Sequence, residues 1–212
     1  MNAAELLALA RQELFDTVQP YLWSDDLLYT YIDDAQKQFC RYTEGVEDAR
    51  SFSLKIKPDL VWYDLDPLIL KVRSAHDQLT GRELPIWTTE YMSTNRIWFD
   101  GSRGPMKALV SGLEKGVLRT FPVPSEASTV ELRVFRLPYD VGVGGEFEID
   151  PQHIINLLFW VKYRAYNVQD AEAADEKKAL SNRTDFEAYC AKARVEQGRL
   201  RRPVATVAYG GI

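Results

Sequence analysis

Ile149-Asp150-Pro151-Gln152-His153-Ile154-Ile155-Asn156-Leu157-Leu158 opens the stretch whose reading decides the fold. Asp150 is an N-cap acid and Pro151 a proline at the first helical position. Ile154, Leu157, Leu158, Val161, Ala165 and Val168 follow at helical spacing, so one long apolar stripe is predicted. A second segment, ending near Gln197, is expected to begin at Thr184-Asp185-Phe186-Glu187, which has the capping-box pattern. It carries Phe186, Tyr189, Cys190 and Ala193 on one face, with Gly198 as its expected terminator. Neither stripe can face water alone, so both need partners.

The best partners lie at the other end of the chain. Residues 2–16 read as a helix with Ala3, Leu6, Leu7, Ala10 and Leu14 as its stripe. Ser24 caps a second helix, with Asp25 and Asp26 favourably placed in its first turn. Leu28, Tyr31, Ile32, Ala35, Phe39 and Tyr42 mark its buried side, and Gly45 is a plausible stop. Two amphipathic helices therefore open the chain and two close it. The predicted class is α+β: an antiparallel helical bundle made by the N- and C-terminal helices, with an inserted antiparallel β domain and an extended C-terminal arm. The expected divisions are 1–47 and 148–198 for the two halves of the bundle, 48–147 for the insertion and 199–212 for the arm.

Inside the insertion the period changes to two. Phe52, Leu54 and Ile56 alternate with Ser53 and Lys55, and Val61–Leu65, Ile69–His76 and Arg82–Ile86 are further strands. Thr88 caps a helical turn, and Asp100-Gly101 signals a turn after Ile97-Trp98-Phe99. Gly116–Phe121 and Val130–Leu137 are the clearest strand pair, the second with a slip in its alternation at Val134-Phe135. Pro138–Gly145 is the return to the helices. Its glycines lack the strand-to-helix setting and the Lys-Ser/Thr ending of a phosphate-binding loop.

Composition bounds the function. Of the 212 residues, 46% are apolar and 27% charged, which fits an ordered domain and argues against disorder. A net charge of −5 argues against general duplex binding. No N-terminal signal sequence and no apolar run long enough to cross a bilayer are read. Cys40 and Cys190 are expected to be reduced thiols packed in helices, although a bridge between the terminal helices stays open. Charge is polarised along the chain. Residues 1–50 hold ten acids and four bases, whereas Lys192–Arg202 holds five bases and one acid. Such separation could orient neighbouring copies or dock an acidic partner, or it could simply solvate a helix end.

Catalytic signatures are missing. His76 and His153 are the two histidines, and neither sits in a metal-ligand motif. There is no Gly-x-Ser-x-Gly elbow, and nothing brings Cys40, His153 and Asp150 together as a nucleophilic set. Successive acids such as Asp25-Asp26, Asp33-Asp34 and Asp175-Glu176 diverge on a helix, so a hydrated face is the simpler reading. Alternatively, acids facing a channel would repel a passing polyanion. Arg199, Arg201 and Arg202 with scattered aromatics carry no recognisable nucleic-acid-binding signature.

Several blocks, in order, resemble tailed-phage head-to-tail adaptor proteins, also called connector or tail tubular A proteins in short-tailed phages. They are Leu14-Phe15-Asp16-Thr17-Val18-Gln19-Pro20-Tyr21-Leu22-Trp23-Ser24-Asp25-Asp26-Leu27-Leu28 and Tyr31-Ile32-Asp33-Asp34-Ala35-Gln36. Further along come Tyr63-Asp64-Leu65, Leu118-Arg119-Thr120-Phe121-Pro122, Arg136-Leu137-Pro138, Ile149–His153 and Trp160–Tyr166. The resemblance implies a non-enzymatic virion protein without a cofactor. It would be assembled in the host cytoplasm and placed at the head–tail junction as a ring, usually of twelve copies. Its implied partners are the portal protein, the tail nozzle protein and genomic DNA passing through the lumen without sequence-specific binding. Carried onto this chain, Arg199, Leu200, Arg201, Arg202, Val204, Val207, Tyr209 and Ile212 would form a portal-docking arm. Asp25, Asp26, Asp33 and Asp34 would contribute to the ring or lumen face. A minor tail-completion role, a nucleic-acid-binding module and a small-molecule enzyme are the alternatives. Steep salt-dependent duplex binding by the monomer would favour the second, and a defined turnover the third.

Overall fold

The computed structural model describes residues 1–99, 101–168 and 175–200. In chain order its elements are α1 (Ala3–Glu13), α2 (Asp25–Tyr42), β1 (Val46–Ile56), β2 (Trp62–Asp64), β3 (Ile69–Asp77), β4 (Arg82–Leu84) and β5 (Ile86–Thr88). Then come α3 (Thr89–Thr94), β6 (Arg103–Gly104), β7 (Ala108–Ser111), β8 (Val117–Phe121), β9 (Val123–Pro124) and β10 (Ser128–Arg136). The chain closes with α4 (Pro151–Ile154), α5 (Leu157–Tyr166) and α6 (Glu176–Leu200). It divides into a helical unit, Met1–Glu44 with Tyr139–Ile212, and a β unit, Gly45–Pro138. The protein is thus mixed α+β, with helices from both termini and inserted sheets.

In the helical unit, α1 begins with a capping box. Asn2 Oδ1 accepts the Glu5 backbone N–H, and the Glu5 carboxylate accepts that of Asn2. Ser24 caps α2 through the Leu27 N–H. Trp160 on α5 reaches Asp34 on α2, Arg164 lies over Tyr31, and Phe39 stacks at 4.8 Å on His153 of α4. The contacts run in reverse order along the two segments, so α5 is antiparallel to α2. Leu6, Leu28, Ile32, Phe39, Leu157, Val161, Phe186 and Cys190 are buried between these helices. Burying a side chain of this size contributes about 1.5–3 kcal/mol.

Several helix boundaries differ from the sequence reading. The helix read over 2–16 ends at Glu13, with Leu14 as its C-cap. The stripe from Ile154 to Val168 is broken at Ile155-Asn156 into a short α4 and α5. The Thr184-x-x-Glu187 box caps nothing, because α6 starts eight residues earlier at Glu176. Thr184 Oγ1 instead donates back to the Leu180 carbonyl at 2.9 Å. Gly198 does not end the helix, which continues through Leu200. One helical glycine costs only about 1 kcal/mol, and the stronger breaker, Pro203, lies further on.

The return segment is anchored to the helices. Asp33 accepts the Val141 N–H at 2.9 Å, Gln36 donates to the Tyr139 carbonyl at 3.0 Å, and Ala3 N–H donates to the Gly145 carbonyl at 3.0 Å. Residues 139–147, expected within the insertion, are grouped with the helical unit.

The β unit has two four-stranded sheets, ordered β1-β10-β3-β4 and β2-β8-β7-β5, and a small β6-β9 ribbon. Leu54, Ala75, Leu84, Val130 and Leu132 of the first sheet share one core with Tyr63, Leu109 and Leu118 of the second. Two expectations are corrected here. β8 and β10 do not pair; each lies in a different sheet. Between them Pro122 and Pro124 lack the N–H groups that a continuing ladder would use. Nor is the unit wholly antiparallel, because β5–β7 and β6–β9 are parallel. The slip at Val134 is a real register shift against β3. A second irregularity, at Asp48 in β1, is stapled by its own carboxylate, which accepts the Arg50 and Ser51 N–H groups at 3.0 Å each. Burial pushes Asp48 up, but those N–H groups and the Arg136 guanidinium outweigh it and hold the carboxyl well below the usual range.

Candidate assembly surfaces

The connection between α1 and α2 is built around a buried cation. Arg11, in the last turn of α1, donates from Nη1 to Asp16 Oδ2 at 2.6 Å and from Nη2 to the Trp23 carbonyl at 3.0 Å. It also pairs with Asp25, and its guanidinium lies 3.7 Å from the centre of the Tyr21 ring. Asp16 accepts the Leu22 N–H at 2.8 Å and the Trp23 N–H at 3.3 Å. Both ends of the loop are tied to one guanidinium–carboxylate pair, with Arg11 and Asp16 each buried. A buried pair survives only when its remaining donors and acceptors are satisfied, as they are here. The loop's apolar side chains are left outside: Phe15 is 91% exposed and Val18 78%, with Leu22 also in water. Sequence reasoning missed this surface. Its signal was a set of apolar residues off the α1 stripe, in a connection too short to bury them.

The four acids have different fates. Asp33 accepts from Lys37 at 2.6 Å and from the Gln36 amide and the Val141 N–H. Asp34 accepts from Trp160 Nε1 at 2.8 Å and Arg164 at 3.1 Å. Both hold the helical unit together. Asp25 pairs with Arg11 yet stays exposed, and Asp26 is exposed beside it.

At the other terminus, α6 buries Ala179, Phe186, Cys190 and Ala193, and beyond Ala193 its described side chains are exposed or half-buried. Arg199 is on this exposed end; Leu200 is the last helical residue. Arg201, Arg202, Val204, Val207, Tyr209 and Ile212 lie outside the described residues.

The β unit presents an aromatic face. Phe99 sits 3.5 Å and Trp62 5.3 Å from the Arg119 guanidinium, and Trp98 is 71% exposed. Burial lowers the Arg119 pKa.

His153 is buried, with Nδ1 2.8 Å from the Tyr189 hydroxyl. Burial lowers its pKa, against the charges of Asp150 and Glu196. Cys40 and Cys190 are both buried, and burial pushes the Cys190 thiol up to about 12. A thiol so shifted is unreactive at neutral pH. Among the described residues no group of three or more His, Cys, Asp or Glu side chains could hold a metal ion, and no helix is long and apolar enough to cross a membrane.

A family model for the SU10 adaptor protein matches residues 1–207, nearly the whole chain. The chain belongs to the SU10 adaptor family. No curated protein matches it significantly. The SU10 adaptor assignment makes this a structural protein of tailed phages in the head-to-tail adaptor class, which the ordered blocks of sequence resembled. Within that class, the exposed loop, the described exposed side chains towards the end of α6 and the aromatic face are this adaptor's candidate assembly surfaces.

Proposed function

We propose that this adaptor forms a ring, usually of twelve copies, at the head–tail junction of the virion. The ring joins the portal protein to the tail nozzle and extends the channel through which genomic DNA passes. DNA contacts the lumen without sequence-specific binding. Assembly takes place in the host cytoplasm.

The observation that carries this reading is the form of α6. Among its described side chains the last buried one is Ala193, yet the helix continues to Leu200 with Arg194 and Arg199 in water and Lys192 exposed beside Ala193. The sequence then adds Arg201, Arg202 and the apolar residues Val204, Val207, Tyr209 and Ile212. A basic helix end followed by an apolar segment suits docking to a large preformed partner, with basic contacts for orientation and apolar burial for affinity. The portal, itself a ring, supplies many equivalent sites at high effective concentration. Of the four acids Asp26 is the one most available to a ring or lumen face, since Asp33 and Asp34 are engaged within the unit and Asp25, though exposed, pairs with Arg11.

Cosedimentation with purified portal rings tests the proposal. Deleting residues 201–212 is expected to lower portal loading at least tenfold while leaving the thermal unfolding of the protein unchanged. Normal loading of the truncated chain would refute the docking role of this end.

A further inference from the structure

The fold takes Arg119 partly out of water and leaves it without an anion. It lies in the middle of β8, next to Leu118, whose side chain joins the core between the two sheets, so Arg119 projects from the opposite face. Strand register on that face sets it between Trp62 of β2 and Val110 of β7. The segment after α3 brings Phe99 to 3.5 Å from its guanidinium and to 6.2 Å from Phe121, between ring centres. Its Nε is buried and donates to nothing, and among the described residues no carboxylate pairs with it. A buried donor left unpaired costs free energy that folds normally avoid. Trp62, Trp98 and Phe99 stay exposed around it. Arginine beside exposed tryptophan is the composition of an interface hot spot.

The helical unit carries the matching charge. Phe15, Val18, Leu22 and Leu27 are exposed along the α1–α2 loop and the first turn of α2. Asp26, beside Leu27, is exposed too, and among the described residues no cation pairs with it; Arg11 takes Asp25 instead. This surface is preformed. Phe15 has φ of 58°, in the left-handed region, and the Arg11–Asp16 pair beneath holds both ends of the loop in place. A strained residue held this firmly in water points to use in a contact. A projection already in shape loses little further freedom on docking.

The loop offers apolar side chains with an unpaired carboxylate, and the β face offers aromatic rings with an unpaired guanidinium. A docked carboxylate supplies the acceptor that the guanidinium lacks, and the surrounding rings exclude water from the pair. Within one chain Phe15, Asp26, Trp62 and Trp98 are all exposed, so the match is not made there. A second copy brings both halves of it.

We infer that Asp26 of one subunit pairs with Arg119 of a second copy of this chain, with Phe15, Val18 and Leu22 packed against Trp62, Trp98 and Phe99. The contact is head to tail. Each copy gives its loop to one neighbour and its aromatic face to the other, the heterologous arrangement from which rings are built. The inference rests on the ring reading and names the subunit contact within it.

Charge exchange in the full chain, mixed with portal rings and viewed by electron microscopy, provides the test. Asp26→Arg sets cation against cation, and Arg119→Glu sets acid against acid. Each variant alone is expected to lower ring yield at least tenfold. Mixed in equal amounts, the two can alternate around an even-numbered ring with every contact complementary, and yield is expected to return to within threefold of the unchanged protein. Circular dichroism checks that each variant is folded. If Arg119→Glu is not, Trp98→Ser, at an exposed position, takes its place and is expected to lower ring yield at least tenfold; normal yield would count against the contact. Folded single variants that assemble normally, or that fail and are not rescued by mixing, as a portal contact through Asp26 or Arg119 would give, would overturn this contact and leave the ring reading standing. No rings of the unchanged protein at any concentration, with or without portal, would overturn both.

Discussion

The indole N–H of Trp160 donates to the Asp34 carboxylate at 2.8 Å, joining residues 126 positions apart. One end of the chain thereby recognises the other. Arg164 shares the same carboxylate oxygen at 3.1 Å, and the Trp160 ring packs on Phe186 of α6 with centroids 5.1 Å apart. Asp34→Ala leaves that buried indole N–H without its acceptor. The expected loss is about 1–3 kcal/mol. Trp160→Phe keeps the ring packing and should cost less. Calorimetric unfolding of both variants checks the order.

Arg11 is expected to be the most sensitive polar position described. Arg11→Met leaves Asp16 charged and buried, a change that typically costs about 3–5 kcal/mol. Adding Asp16→Leu should not restore stability, because the N–H groups of Leu22 and Trp23 would then lose their acceptor. Arg11→Lys should fail in part, since an ammonium cannot fork to Asp16, Asp25 and the Trp23 carbonyl together. Hydrogen exchange at Leu22 and Trp23, in the full chain, reads each outcome directly.

Phe15→Gly should behave differently. It relieves the left-handed strain and removes a side chain that buries almost nothing. Melting of the isolated protein should show stability unchanged or raised by up to about 1 kcal/mol. A clear loss would mean that the ring supports the monomer.

His153 predicts a pH dependence. Burial holds its folded-state pKa below that of the unfolded chain, near 6.5. As pH falls below about 6.5 the unfolded chain takes up the proton first, so stability present above that pH declines and then levels off below the folded value. Denaturant unfolding between pH 7.5 and 5.5 should show this decline, and His153→Gln should lack most of it.

The helices were legible where apolar spacing and caps agreed. Ser24 acts as a local signal whatever surrounds it, and Leu28, Ile32, Ala35 and Phe39 repeat at helical spacing; the Asn2–Glu5 capping box was not read. The start of α6 was not legible, because Thr184-x-x-Glu187 has the same letters in a helix interior as at a helix start. Some strand positions survived in the β unit, but the segment read over Arg82–Ile86 splits at Pro85 into β4 and β5 in different sheets, β7 was not read, and strand partners were not legible. Alternation tells which face of Val117–Phe121 is buried, not which sheet receives it. The loop surface was hidden for a similar reason: what exposes Phe15 is Arg11 pairing with an acid five residues on. Periodicity does not report that contact.

Electron cryomicroscopy of the full chain bound to purified portal rings tests the assembly reading most directly. The expected result is an added ring of adaptor copies, each touching the next, with the exposed end of α6 against the portal. A complex in which the portal meets the β unit alone, or in which adaptor copies bind without touching one another, would contradict it.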